Sequence, residues 1–302
     1  MEWNGKMKLI NIEGLDGTGK HTIALALQTL LQHNNINVGY LEFPAYDTPT
    51  GNAISEFLKG NVLGDSKLSD PYASSLLYTI DRIVYINNNI DKLRENDIII
   101  SDRSYLSNFF YQASKLVDIE SAISTKDSDN YSKLYNFMDL MSMLELAQSR
   151  LLDIVHINEI RNIYLYHPNI DTNIKLINGR NREKDLNEDL SYLSRVNNFA
   201  HNIYMHSINA KSICPGISYQ GLFSQFPMYW YEPVQCSDKD SGELYHQSDI
   251  AKTIYNDVIM RDEKEYFKHI NSPNSGYPMG DQYNYSHPPL YVNTLLINRN
   301  WR

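Results

Sequence analysis

The stretch Glu13-Gly14-Leu15-Asp16-Gly17-Thr18-Gly19-Lys20-His21-Thr22 decides the fold of this 302-residue chain. It follows the short apolar segment 8–12, which reads as a buried strand. Isoleucine and leucine recur at helical spacing after Lys20, so we expect a helix to begin there. A strand, a glycine-rich turn and a helix in this order predict a phosphate-binding site, because backbone N–H groups and a helix N-terminus attract anions.

The turn matches the pattern Gly-x-x-x-x-Gly-Lys, in which Lys20 would reach the β- and γ-phosphates of a nucleotide. His21 stands where the pattern has a hydroxyl for Mg²⁺, and an imidazole suits this hard cation poorly. Either Mg²⁺ is held through waters and a carboxylate elsewhere, or Thr22 partly substitutes. A turn that binds no nucleotide is the alternative. The predicted ATP-binding residues are Gly14, Leu15, Asp16, Gly17, Thr18, Gly19, Lys20, His21 and Thr22.

Composition excludes several classes of function. The net charge of −9 argues against a broad nucleic-acid surface, which needs clustered lysine and arginine. No run of about 18 apolar residues is present, so we expect no membrane span. Two cysteines, Cys214 and Cys236, are too few for a disulfide scaffold. The N-terminus lacks a signal-peptide pattern, and we therefore expect a reducing, cytoplasmic setting.

Strands and helices alternate along the chain, which predicts an α/β fold with a parallel sheet flanked by helices on both faces. The continuous apolar run 98–100 reads as a central strand that delivers Asp102 and Arg103 at its carboxyl end. Ligands bind at such strand ends, so both residues should lie near the glycine-rich turn. A helix from Pro71 should bury its apolar stripe, which runs from Leu76 to Leu93. We expect one domain over residues 1–262 and a C-terminal extension over residues 263–302.

Several motifs together resemble the thymidylate kinase family of nucleoside monophosphate kinases. They are the turn 13–20, Phe43-Pro44, Tyr78 with Asp81-Arg82, the segment 102–112 and the charged loop from Arg180 to Glu188. The resemblance covers roughly residues 8–261. It implies a P-loop kinase fold with a lid at about residues 179–189.

The resemblance implies that the chain transfers a phosphoryl group from ATP to dTMP, or to a closely related pyrimidine deoxynucleoside monophosphate, with Mg²⁺ as cofactor. It also implies a homodimer packed through helices. Asp102 would hold Mg²⁺ through water. The residues implied for catalysis are Lys20, Asp16, Arg103, Arg180 and Arg182. The residues implied for acceptor binding are Phe43, Pro44, Tyr78, Arg82, Arg103, Ser107, Tyr111 and Gln112.

Some residues keep a second interpretation. Tyr78 could be a core tyrosine, Arg82 could be a surface partner of Asp81 or Glu56, and the lid arginines could be a solvated charge run. Glu42 stands where many relatives have an arginine, and we expect it to point away from an acceptor phosphate that would repel it.

Two other functions stay open for the whole chain. The segment Asp102-Arg103-Ser104 also resembles deoxynucleoside kinases, which would phosphorylate thymidine-like nucleosides. A catalytically weakened nucleotide-binding protein is the second alternative, because His21 and Glu42 depart from the family pattern.

Overall fold

The computed structural model describes residues 7–118, 128–181, 185–208 and 231–260. Its strands are β1 Lys8–Gly14, β2 Val38–Glu42, β3 Ile98–Asp102, β4 Glu159–Tyr166 and β5 Tyr231–Gln235. Its helices are α1 Lys20–His33, α2 Pro49–Leu58, α3 Pro71–Asn88, α4 Ile90–Arg94, α5 Tyr105–Leu116, α6 Ser128–Val155, α7 Ile170–Asn178, α8 Leu190–Ile208 and α9 Gln247–Thr253, which continues as the π-helix Ile254–Ile259.

The five strands form one parallel sheet in the order β2-β3-β1-β4-β5. Ile10, Ile12 and Ile100 pack on one face with α1, α9 and the π-helix, whereas Leu9 and Ile99 pack on the other with α3, α4 and α6. Successive strand residues point to opposite faces, so both faces are covered by helices. The predicted α/β fold is confirmed.

Local chemistry explains where two of the helices begin. The Asp70 side chain accepts a hydrogen bond from the Ala73 N–H at 2.8 Å, and Pro71 occupies the first turn of α3. The Thr48 hydroxyl accepts from the Gly51 N–H at 3.0 Å and caps α2, which therefore begins at Pro49. Sequence identifies such helix starts because a cap needs only neighbouring residues.

The expected buried stripe from Leu76 to Leu93 is partly wrong, because Ile86 and Leu93 are buried but two other members are not. Leu76 and Ile80 are 43% and 48% exposed, whereas Ser74, Asp81 and Arg82 on the other side are buried. Hydrogen bonds compensate for this polar burial, because the Asp81 carboxylate accepts from the Ala45 N–H at 2.9 Å and from the Thr50 hydroxyl at 2.8 Å. The polar face of α3 is turned inward because it builds part of a cleft.

Glu145 on α6 has a carboxyl oxygen that is buried and has no hydrogen-bond partner among the described residues. Burial raises its pKa to about 8, although the charge of Arg82 opposes the shift. Because this pKa exceeds the unfolded value of about 4.3, the folded state loses stability as pH rises between these values.

We therefore expect Glu145→Gln, which resembles the protonated acid, to raise the free energy of unfolding by about 1–3 kcal/mol at pH about 8 and by much less at pH about 5. Urea unfolding at both pH values measures the difference. Asp139→Asn, at an exposed position of α6, is the control. An equal effect of Glu145→Gln at both pH values would contradict the expectation.

Several expectations fall outside the described residues. They concern the extension 263–302, Cys214 and Arg182. Among the helices that the structure does describe, none has the length and apolar character that crossing a bilayer requires.

Candidate active site

A cleft of about 1010 Å³ opens at the carboxyl ends of the strands. Lys20 from the glycine-rich turn and Arg103 from the end of β3 line this same cleft, as expected of ligand sites in parallel sheets. The other predicted residues that line it are Asp16, Gly17, Thr18, Gly19, His21, Thr22, Phe43, Pro44, Tyr78, Arg82, Asp102, Ser107, Tyr111, Gln112 and Arg180.

The glycine-rich turn is tightly packed. Gly17 has φ of +83°, and a Cβ there would lie 2.4 Å from the Asn173 carbonyl oxygen, so no larger residue fits. The buried Lys20 ammonium donates to the Leu15 carbonyl at 2.7 Å. Gly14 and Leu15 are buried beneath the turn and are not among the cleft-lining residues. The turn thus brings Gly17, Thr18, Gly19 and Lys20 to the cleft lining.

Asp16 connects the turn to Arg103. Its carboxylate forms an ion pair with the Arg103 guanidinium and accepts a hydrogen bond from the Tyr111 hydroxyl at 2.8 Å. Burial alone would raise the pKa of Asp16, but Arg103 and Lys20 lower it more, and the net pKa falls below the ordinary value. Asp16 is therefore an anion between two cations at neutral pH.

A buried glutamate fixes the segment that carries Arg103. Glu13 accepts hydrogen bonds from the Ser104 N–H at 2.6 Å and from the Ser107 hydroxyl. Ser107 in turn accepts from Arg103 Nη1 at 3.2 Å. Arg103 itself has φ of +71°, a strained conformation for a side chain of this size. Ser107 thus positions Arg103, a role that its predicted contact with the acceptor did not include.

One end of the cleft is lined by Tyr78, Arg82, Asn108 and Gln112, and we call it the inner end. Arg82 is buried and donates to the Gln148 side chain at 2.8 Å, so its interpretation as a surface ion-pair partner is wrong. Tyr78 packs edge-on against Phe57, as a core tyrosine would, and also lines the cleft, where its contact with an acceptor stays a prediction. The side-chain oxygens of Asn108 and Gln112 are buried without a hydrogen-bond partner among the described residues. Sequence reasoning did not predict Asn108 as a site residue, although it did predict the adjacent Ser107.

The described part of the predicted lid, residues 179–181 and 185–189, includes two side-chain contacts that fix it beside the cleft. The Arg180 guanidinium donates to the buried Glu188 carboxylate at 2.7 Å. The Asn187 side chain accepts from the Ser66 hydroxyl at 2.8 Å, which connects the lid to the loop after α2. Arg180 is therefore placed at the cleft by an acid of its own segment.

The cleft lining also includes two buried residues that sequence reasoning missed. His167 follows β4, and Cys236 follows β5. Burial lowers the pKa of His167 and raises the pKa of Cys236 to about 12, so both are neutral near pH 7. The sequence could have indicated both residues, because each follows the end of a strand, where ligands of a parallel sheet bind.

Glu42 lines the cleft and faces His21 of the glycine-rich turn, and its expected orientation away from an acceptor phosphate stays a prediction. Its carboxylate lies 3.7 Å from His21 Nδ1, and the Asp102 carboxylate lies 3.8 Å from the same nitrogen. The Mg²⁺ pattern therefore fits poorly here, because an imidazole replaces its hydroxyl ligand.

Comparison with known proteins agrees with the motifs. Residues 12–129 match the family model for thymidylate kinase. A probable thymidylate kinase of Staphylothermus marinus is 36% identical over 110 residues, which are 36% of this chain and 51% of that protein. A probable thymidylate kinase of Caldivirga maquilingensis is 30% identical over 112 residues, 37% of this chain and 52% of that protein. The match thus spans about half the length of these relatives.

A solved thymidylate kinase from Candida albicans is similar over 83% of this chain and 92% of its own, at 18% identity and a TM-score of 0.45. The sequence matches begin in β1 and extend past α5, and so include the turn, Arg103 and the inner end of the cleft. Over residues 12–129, the chain resembles the thymidylate kinase family, as the motifs predicted.

Proposed function

We propose that the chain phosphorylates dTMP, or a closely related pyrimidine deoxynucleoside monophosphate, with ATP as the donor. The observation that carries the proposal is the shared cleft, in which Lys20 and Arg103 lie on either side of Asp16. Phosphoryl transfer needs positioning and neutralised charge more than covalent chemistry. A cleft with one cation for each nucleotide supplies both.

In this proposal the turn holds the donor. Its N–H groups and Lys20 bind the β- and γ-phosphates of ATP, while α1 directs its N-terminus at them. A divalent cation neutralises charge on the donor oxygens when it is bound. Mg²⁺, with Asp102 as a ligand through water, stays a prediction.

The acceptor lies on the opposite side. Arg103 offers a planar fork that suits a monophosphate, and Asp16 and Ser107 hold that fork in place. Asn108 and Gln112 present buried oxygens that need donors, and the single N3–H of a thymine or uracil base would satisfy one of them. Tyr78 would stack on the base. Arg180 would close over the reacting phosphates and exclude water.

Lys20 gives the donor side a pH dependence. Burial and the charge of Arg103 lower its pKa to about 8, so the ammonium loses its proton above that pH in the free protein. We expect the affinity for ATP to fall between pH about 7.5 and about 9.5, approaching tenfold for each pH unit above the pKa.

Calorimetric titration with ATP at several pH values measures this fall. Lys20→Arg is the matched control, because arginine keeps its charge across this range and should flatten the profile. An equal slope in both proteins would contradict the assignment to Lys20.

The function itself is tested by ADP release with ATP and a panel of acceptors. We expect dTMP to give the highest rate, with dUMP below it and purine monophosphates near the rate without acceptor. Turnover of thymidine but not dTMP would replace the proposal with a deoxynucleoside kinase. ATP binding without any turnover would replace it with a weakened nucleotide-binding protein.

We also propose a homodimer formed through α3 and α6. These two helices pack together, and each leaves large apolar side chains exposed: Leu76 and Ile80 on α3, and Met143 and Leu146 on α6. A second copy would bury them. Sedimentation of the wild type and of Leu76→Lys/Ile80→Lys tests this, since the variant should be a monomer. A cytoplasmic location stays a prediction.

A further inference from the structure

His21, Glu42 and Asp102 meet where β2 and β3 end beside the glycine-rich turn. One nitrogen of His21 and one oxygen from each acid lie within 4.8 Å of one another, and all three residues line the cleft. This spacing suits three ligands of one metal ion, since metal–ligand bonds of about 2.0–2.2 Å place ligands roughly 3–4 Å apart.

The fold brings the three residues together from three elements. The register of the sheet pairs Glu42 directly with Asp102, and His21 is the second residue of α1. The Tyr40 hydroxyl lies 3.0 Å from His21 Nδ1 and holds the ring over the two acids. If an ion takes that nitrogen, the Tyr40 hydroxyl can donate to the neighbouring Asp102 or Glu42 carboxylate instead.

A second observation points to a ligand here. Asp102 is only 6% exposed, yet one of its carboxylate oxygens has no hydrogen-bond partner among the described residues. A buried carboxylate costs free energy unless a donor or a cation satisfies it. This oxygen is Oδ1, whereas Oδ2 faces His21, so a cation that Asp102 binds with both oxygens would satisfy it.

The donor set indicates which cation fits. Mg²⁺ prefers oxygen ligands and keeps much of its water, whereas imidazole suits the transition ions. We propose that His21, Glu42 and Asp102 bind a divalent transition ion directly, such as Co²⁺ or Mn²⁺, and hold it more tightly than Mg²⁺. Water and other oxygen ligands complete the coordination. Metal binding at this site does not require an acceptor nucleotide. A role for the bound ion beside the donor phosphates rests on the proposed function.

The test is titration of the full chain with Co²⁺ in the absence of nucleotide, followed by visible absorption and calorimetry. We expect one Co²⁺ per chain, with an affinity at least about tenfold higher than that of Mg²⁺. His21→Ser, which restores the hydroxyl of the motif, and Glu42→Gln should each weaken Co²⁺ binding by at least about tenfold. His33→Ala, at an exposed position of the same helix, should leave it unchanged.

Equal Co²⁺ affinity in the wild type and in a variant that folds, shown by circular dichroism, would overturn the proposal. So would Co²⁺ binding no tighter than Mg²⁺ binding. Because the Glu42 side chain is 53% exposed, Glu42→Gln keeps the test valid even if His21→Ser does not fold. Turnover of dTMP with Mg²⁺ but without a Co²⁺ site would sink this inference and leave the function standing. A Co²⁺ site in a chain that does not turn over dTMP would support this inference and overturn the proposed function.

Discussion

Replacing Lys20 by alanine should lower kcat/KM for phosphoryl transfer to dTMP by at least about 10³-fold. Its ammonium is buried at the turn, where it donates to the Leu15 carbonyl beside the N–H groups that would hold the donor phosphates. The fold should survive, because the burial that lowers the pKa of Lys20 shows that its charge is not favoured there. ADP release and thermal unfolding measure the two effects.

Lys252→Ala is the control for that experiment, because Lys252 is an exposed lysine on α9 that lies outside the cleft lining. It should keep wild-type turnover. Equal turnover in Lys20→Ala would count against any kinase that works through this turn. A variant that loses turnover together with its fold would instead show that Lys20 is structural.

Replacing Arg103 by lysine should weaken use of the acceptor by about 10²-fold in kcat/KM, with the affinity for ATP changed less than about twofold. Lysine keeps a charge beside Asp16, so no buried acid is left unpaired. It loses the planar fork, the hydrogen bond to Ser107 and the stacking of the guanidinium over the Tyr111 ring at 5.7 Å.

Initial rates across dTMP concentrations measure use of the acceptor, and calorimetry measures the affinity for ATP. Together they separate the effects of the substitution on the two sides of the cleft. Arg150→Lys makes the same chemical change at an exposed position of α6 and should have no effect. A loss shared equally by ATP and dTMP would show that Arg103 supports the whole cleft rather than the acceptor.

Much of the architecture could be predicted from local chemistry. The cap of α3 by Asp70 and the start of α1 at Lys20 depend on neighbouring residues alone. The meeting of Lys20 and Arg103 follows from topology, because both stand at the carboxyl ends of strands that pair in parallel.

The misplaced features depend on contacts far apart in the chain. The apolar stripe of α3 predicted a buried face, but the hydrogen bonds of Asp81 with Ala45 and Thr50 turn the polar face inward. The approach of Glu42 to His21, which was not predicted, is set by the register of β2 on β3. The residues next to Asp81 and Glu42 in the sequence do not predict these contacts.

The central position of β1 has a consequence for motion during a catalytic cycle. This strand is bonded to β3 on one side and to β4 on the other, so the glycine-rich turn grows out of the most constrained part of the sheet. The segment 185–187 belongs to no strand or helix and reaches its surroundings through hydrogen bonds to Leu58 and Ser66. When a nucleotide arrives, we expect amide deuterium uptake to slow chiefly in that segment, while the backbone of β1, which should exchange slowly throughout, changes little.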